Sequence, residues 1–180
     1  MKRLICVVLA LTLMLSMAAC GGSKPAETTG SADTNLEGTV EELLNRIIEK
    51  QPVEFDGEVT AIDLTDTSEE GKWLFESTTG LTDPVQLTEA AVFEPLMGSL
   101  AFSMVMVRTA DGIVPENIAQ AMKSGINPRK WVCVEADDLL VAGCGNVVML
   151  IMLSADTELT AQKFLDAFRS VAGRELDFVI

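Results

Sequence analysis

Acidic residues crowd one short stretch of the chain and are the first candidates for chemistry. Asp63, Asp66, Glu69 and Glu70 fall within eight consecutive positions. Clustered carboxylate oxygens are the ligands that Ca²⁺ prefers, and Ca²⁺ is available outside cells. The spacing lacks the D-x-D-x-D-G pattern of a dedicated calcium loop, and acids also favour the first turn of a helix. The stretch is therefore a weak metal candidate, with helix capping as the alternative interpretation.

The residue types that the chain lacks restrict its chemistry more strongly. It contains no histidine and no tyrosine, which removes the commonest general base and the commonest transition-metal ligand. Histidine-based triads and zinc sites are therefore excluded for a single copy of the chain. The motifs G-x-S-x-G and S-x-x-K are also absent. We expect neither an enzyme nor a cofactor, and a hydrolase that uses two carboxylates is the remaining catalytic alternative.

A few other side chains could contact a ligand. Trp73 and Trp131 offer flat aromatic faces that suit sugars or apolar rings, although packing in the core is the ordinary role of tryptophan. Arg108 lies near the end of a predicted strand, where it either captures a carboxylate or marks the rim of the sheet. Met104 and Met106 would share one strand face, but without a histidine nearby they are better read as core residues than as copper ligands.

Two of the four cysteines fall in the body of the chain, Cys133 and Cys144. In an oxidising compartment they could form a disulfide. Their spacing fits neither a C-x-x-C redox pair nor a metal knuckle. A hairpin turn at Asp137-Asp138 would place Cys144 two positions out of register with Cys133, so the favoured interpretation is two buried thiols.

The N-terminus carries a secretory signal. Two basic residues precede a run of 14 mostly apolar residues, 4–17, which is too short to cross the hydrocarbon core of a bilayer, since that takes about 20 residues. The segment Met17-Ala18-Ala19-Cys20 resembles the lipobox of bacterial prolipoproteins. The resemblance implies a signal peptide over 1–19 and a lipidated Cys20 as the mature N-terminus, anchored in the cell membrane on its extracytoplasmic side.

A flexible tether and one folded domain are expected to follow. Residues 20–37 are rich in Gly, Ser, Thr and acid and have no apolar periodicity, which is typical of a flexible linker. Residues 38–180 are long enough for one domain with a full core. Loss of residues 1–19 reduces 13 basic residues to 11 against 27 acidic ones, a net charge of −16. This charge disfavours nucleic acids and anionic lipid surfaces as partners.

Apolar periodicity predicts an α+β fold. Helices are expected at 39–50, 69–78, 115–124 and 157–171, and strands at 87–94, 99–109, 130–136, 139–142 and 146–153. Residues 55–64 and 175–180 suggest further short extended pieces. The prediction is a single two-layer domain, with an antiparallel or mixed sheet of about five strands and its helices packed on one face.

Several segments together resemble a domain of unknown function that is common in small lipoproteins of monoderm bacteria. They are Ser77-Thr78-Thr79-Gly80-Leu81, Val105-Met106-Val107-Arg108, Lys130-Trp131-Val132 and the apolar run from Gly145 to Met152. The resemblance supports the extracytoplasmic address and implies no catalytic or binding residues.

Three functional hypotheses follow from the sequence. The favoured one is a non-catalytic, lipid-anchored module of the cell envelope that binds another envelope protein or an extracellular ligand. The second is a lipoprotein that binds a small molecule or metal ion through Trp73, Trp131 or the acidic stretch. The third is the hydrolase with an acidic pair.

Overall fold

Residues 35–180 belong to one compact unit. A computed structural model describes residues 35–180; the predicted signal peptide, Cys20 and tether residues 21–34 lie outside the described residues. The helices are α1 (Val40–Lys50), α2 (Glu69–Thr79), α3 (Pro115–Gly125) and α4 (Ala161–Ala172). The strands are β1 (Gly57–Ala61), β2 (Leu87–Pro95), β3 (Phe102–Thr109), β4 (Asp138–Cys144), β5 (Val147–Leu153) and β6 (Phe178–Val179). Short 3₁₀ turns lie at Pro84–Gln86 and Ala155–Thr157.

The six strands form one antiparallel sheet in the order β1-β2-β3-β5-β4-β6. The central strands are β3 and β5, which pair with Met104 opposite Ile151. Every side chain of β5 is buried, and so is every side chain of β3 except that of Arg108. Strands that are apolar at successive positions need cover on both faces. The predicted α+β class and the antiparallel sheet are confirmed.

Helices α1 and α4 pack on one face of the sheet. Thr39 caps α1 in a capping box with Glu42, and the buried stripe of α1 includes Leu44 and Ile47. The side chains of α4 join it over the sheet, where the Phe164 ring meets the Phe102 ring edge-on at 5.2 Å.

Helices α2 and α3 pack on the opposite face, over a second apolar core that includes Phe75, Met122 and Leu150. The predicted packing of all helices on one face is therefore wrong. The spacing of apolar residues in a helix shows which of its residues are buried. It does not show on which face of the sheet the helix packs. The two helices approach closely near their C-termini, where a Cβ on Gly125 would lie 2.0 Å from the carbonyl oxygen of Gly80.

The predicted strand at 130–136 is also wrong, because this segment is an irregular loop. Strand β4, its expected partner, is already flanked by β5 and β6, so no edge remains for it. The β4–β5 turn is shorter than predicted: Cys144 belongs to β4, and only Gly145 and Asn146 lie in the turn. The extended pieces suggested at both ends of the domain are β1 and β6.

Candidate functional site

The Arg108 side chain lies where the chain enters the domain. Its guanidinium donates to the Glu89 carboxylate at 3.0 Å and to the Asn146 side-chain oxygen at 2.9 Å. It also donates to the carbonyl oxygens of Leu36 at 3.2 Å and Gly38 at 2.5 Å. The carboxylate that Arg108 captures is therefore one from its own chain.

Glu89 completes this cluster and ties it to the first helix. Its second carboxylate oxygen accepts from the Val40 backbone N–H at 2.8 Å, which satisfies one of the free N–H groups at the start of α1. Leu36 packs against the adjoining core, so the described end of the predicted tether is already attached to the domain. Arg108 and Glu89 hold the chain in place and are not free to bind a ligand.

A partly buried contact at the other end of the sheet joins Lys130 to two strands. The Lys130 ammonium donates to Glu94 at 2.5 Å and to the Ser103 hydroxyl at 3.2 Å. Sequence spacing gives no sign of this Ser–Lys pair, which resembles the nucleophile and base of some hydrolases. Ser103 is fully buried, so its hydroxyl is closed to a substrate. The contact is therefore suited to fixing the loop and not to catalysis.

The loop that carries Lys130 forms an open groove of about 390 Å³. The groove is lined by Trp131, Cys133 and Val134, with an exposed ion pair of Arg129 and Glu135 at its side. The Trp131 ring packs partly against the second core, and its centroid lies 5.4 Å from the Lys130 ammonium. Of the two tryptophans singled out by sequence, this one lines a concave surface.

Trp73 lies elsewhere, on the outer face of α2. It is 68% exposed, and its neighbour Leu74 is 50% exposed. Trp73 therefore does not pack in the core, which is the ordinary role of tryptophan. The buried positions of α2 are Gly71, Phe75, Thr78 and Thr79. Trp73 follows Gly71 by two residues, about 200° round the helix, and so faces away from the sheet.

Three exposed apolar residues lie at the same end of the sheet as Lys130. Leu96 and Met97, in the β2–β3 loop, are 67% and 64% exposed, and Val132 in the neighbouring loop is 79% exposed. The Lys130–Glu94 contact joins the two loops, since Glu94 precedes Leu96 by two residues. We call these three residues the distal loop surface, because the chain enters the domain at the opposite end of β3, beside Arg108. Its signal in the sequence is that two apolar residues, Leu96 and Met97, stand between the strands predicted at 87–94 and 99–109.

The acidic stretch borders a small cavity of about 140 Å³ beside α2. The Thr65 hydroxyl and backbone N–H bond to Asp63 and hold the pKa of that carboxyl below its usual value. Ser68 lowers the pKa of Asp66 in the same way. Within residues 35–180 no group of three or more Asp, Glu, Cys or His side chains is arranged to hold a metal ion.

Glu69 and Glu70 occupy the first turn of α2, behind the Ser68 cap. Both are exposed. This position matches the helix-capping interpretation of the acidic stretch, because a negative charge is favourable at a helix N-terminus.

The two thiols differ in environment and are not bonded to each other. Cys133 is exposed and lies in the groove, whereas Cys144 is fully buried at the far end of β4. The expectation of two buried thiols is therefore wrong for Cys133, and the alternative disulfide is not formed. Burial raises the pKa of Cys144, which keeps it protonated as a small apolar side chain.

Comparisons of the chain with protein-family models, curated proteins and solved structures find no match. The resemblance to a lipoprotein domain thus stays a prediction. Over residues 35–180, no helix combines the length and the apolar composition needed to cross a bilayer.

Proposed function

We propose that the protein is a lipid-anchored, non-catalytic module of the cell envelope, which faces the extracytoplasmic side and binds another envelope protein through the distal loop surface. Lipidation at Cys20 rests on the lipobox-like sequence. Binding rests on the exposure of Leu96, Met97 and Val132.

The chain enters the domain far from the distal loop surface. The described chain begins beside Arg108, at one end of β3, and the distal loop surface lies at the other end. Eight residues of β3 span roughly 25 Å at ~3.4 Å per residue. The described end of the predicted tether therefore joins the domain at the Arg108 end of β3, which leaves the distal loop surface clear of the attachment point.

The apolar character of these loops gives a partner something to bury. Full burial of a leucine, methionine or valine side chain stabilises a complex by about 1.5–3 kcal/mol each. Exposed apolar residues that lie together on a surface are typical of interaction sites.

A photo-crosslinking residue at Met97 tests the binding surface in cells that produce the protein. We expect a discrete adduct with one envelope protein, and no adduct from the same residue at Gln120, which is exposed on α3. The double substitution Leu96→Ser with Val132→Ser should abolish the adduct from Met97. Equal adducts from both positions, or none from either, would contradict the proposal.

The proposed lipid anchor needs a separate test. Labelled palmitate should appear on the wild-type polypeptide and not on a Cys20→Ala variant. Label that persists in the variant, or that never appears, would show that the anchor is assigned wrongly.

The groove supports a second candidate, a small-molecule-binding lipoprotein. Trp131 provides an aromatic wall and the Arg129–Glu135 pair provides polar groups. In a thermal-shift screen of sugars and amino acids, a ligand at 100 times its Kd stabilises the protein by about 2.7 kcal/mol. The shift should vanish in Trp131→Ala and persist in Trp73→Ala, which serves as the matched control. A screen without any shift would remove this candidate.

A further inference from the structure

Strand β1 forms an edge of the sheet, and within residues 35–180 no strand pairs with its outer side. The backbone N–H of Leu96 donates to the Asp56 carbonyl, and the N–H of Ile62 donates to the Ala90 carbonyl. Both bonds follow the same antiparallel register, so the even-numbered residues 56–62 point their backbone groups toward β2. The odd-numbered residues Gly57, Val59 and Ala61 therefore present their N–H and C=O groups to the outside.

This edge has few of the features that usually block strand addition. Natural edges are protected by lysine, proline, bulges or a covering element. The β1 sequence Gly-Glu-Val-Thr-Ala has neither lysine nor proline, and its register with β2 is regular over all five residues. Glu58, Thr60 and Ala61 are exposed.

The chain segment that contains this edge carries charges of one sign. Between Lys50 and Lys72 the chain has seven acidic residues and no basic one. Glu54, Asp56 and Glu58 are exposed, and within residues 35–180 their carboxylates form neither an ion pair nor a hydrogen bond. An edge of this kind repels acidic strands and attracts basic ones.

We propose that the free edge of β1 binds an extended, lysine- or arginine-rich segment of a partner protein, which adds to the sheet as a seventh strand. Backbone bonds to Gly57, Val59 and Ala61 supply the affinity, and the flanking carboxylates select the charge. The inference deepens the proposed binding function and rests on it, but it uses a different surface. The two surfaces are contiguous, since Leu96 bonds to Asp56 directly before β1.

The charge argues against a second copy of the chain as the occupant. Pairing of two β1 edges would bring together two sets of unpaired carboxylates, on chains that already carry a formal net charge of −14. Like charges across adjacent strands are destabilising.

The test uses the full chain in detergent micelles and a capped peptide of alternating lysine and valine, about nine residues long, which spans the edge at ~3.4 Å per residue. Two control peptides accompany it. One has the same sequence with alternate backbone nitrogens methylated, which keeps the charge and removes the strand bonds. The other replaces lysine with threonine. We expect only the unmodified lysine peptide to bind and to slow the hydrogen exchange of the Gly57, Val59 and Ala61 amides.

Two variants locate the site on the protein. Ala61→Pro removes an outward N–H and leaves the bonds to β2 in place, whereas Ala61→Ser keeps that N–H. We expect the first to weaken binding about fivefold to tenfold, the worth of one hydrogen bond, and the second to leave the affinity unchanged. Thermal unfolding of both variants shows whether each remains folded. Glu58→Gln should weaken the binding of the lysine peptide without unfolding the protein.

Several outcomes would overturn the proposal. They are no binding of the lysine peptide, equal binding of either control peptide, or equal affinity of the two Ala61 variants. A dimer in sedimentation that Ala61→Pro dissolves would make β1 a self-interface and would also overturn it. If the lysine peptide does not bind but Met97 still crosslinks, the distal loop surface remains as the binding site. If the lysine peptide binds and Met97 does not crosslink, only the β1 edge remains.

Discussion

Arg108 donates to acceptors from three separate parts of the chain, and each of them would lose a partner if the side chain were shortened. Its side chain is only 11% exposed, so the groups left behind would be partly shielded from water. Unsatisfied polar groups in such a setting cost more than the hydrogen bonds themselves contribute. At the residue scale, stability is therefore concentrated where the first helix joins the sheet.

We expect Arg108→Ala to lower the free energy of unfolding by about 2–4 kcal/mol, because it leaves Glu89 unpaired and releases the start of α1. Urea unfolding followed by circular dichroism measures the change. Arg129→Ala is the matched control, since its ion pair with Glu135 is exposed and should matter little. Equal effects of the two substitutions would contradict this role for Arg108.

The two thiols provide a second prediction at this scale. In the native protein a maleimide should modify Cys133 rapidly and Cys144 only after unfolding, since Cys144 is buried and that burial raises its pKa. Peptide mapping by mass spectrometry assigns each modified residue. Equal labelling of both thiols in the native state would show that β4 is more open than described.

At the scale of elements, the contact between α2 and α3 decides how the second face of the sheet is covered. Gly80 ends α2 in the left-handed conformation, with φ 74°, and its carbonyl oxygen lies against Gly125. Neither position leaves room for a side chain. The two helices therefore meet backbone to backbone, although their sequences show only ordinary helix endings.

We expect Gly125→Ala to destabilise the protein by about 1–3 kcal/mol, the usual cost of overpacking. Gly98→Ala is the control, because a Cβ there meets no atom within 4 Å. Thermal or urea unfolding compares the two variants. Unchanged stability of Gly125→Ala would mean that the helices can separate at little cost.

At the scale of the whole molecule, the excess of acid is the dominant feature. A formal net charge of −14 repels itself in the folded state, and added salt screens that repulsion. It also screens the ion pairs, but within residues 35–180 these are few, and most are exposed at the surface.

We therefore expect the midpoint of thermal unfolding to rise as sodium chloride increases from about 0.01 to 0.5 M, over which the Debye length shortens from ~30 Å to less than ~10 Å. Sucrose at matched osmolality controls for effects other than screening. A falling midpoint would show that the ion pairs outweigh the general repulsion.

The amino-acid sequence by itself determined the elements whose signals are local. The capping box of α1, the apolar runs of β3 and β5 and the hairpin between β2 and β3 all depend on residues that are close in the chain. The strands that are apolar on both faces even imply a sheet covered by helices on both sides. The sequence does not show which helix covers which face.

Tertiary structure alone decided which distant residues meet. Lys130 reaches Glu94 and Ser103, Arg108 binds Glu89 instead of a ligand, and Trp73 turns outward. The free edge of β1 likewise follows from the strand order. Periodicity specifies which side chains avoid water, but many arrangements satisfy that requirement, and only the packing of one layer against another selects among them.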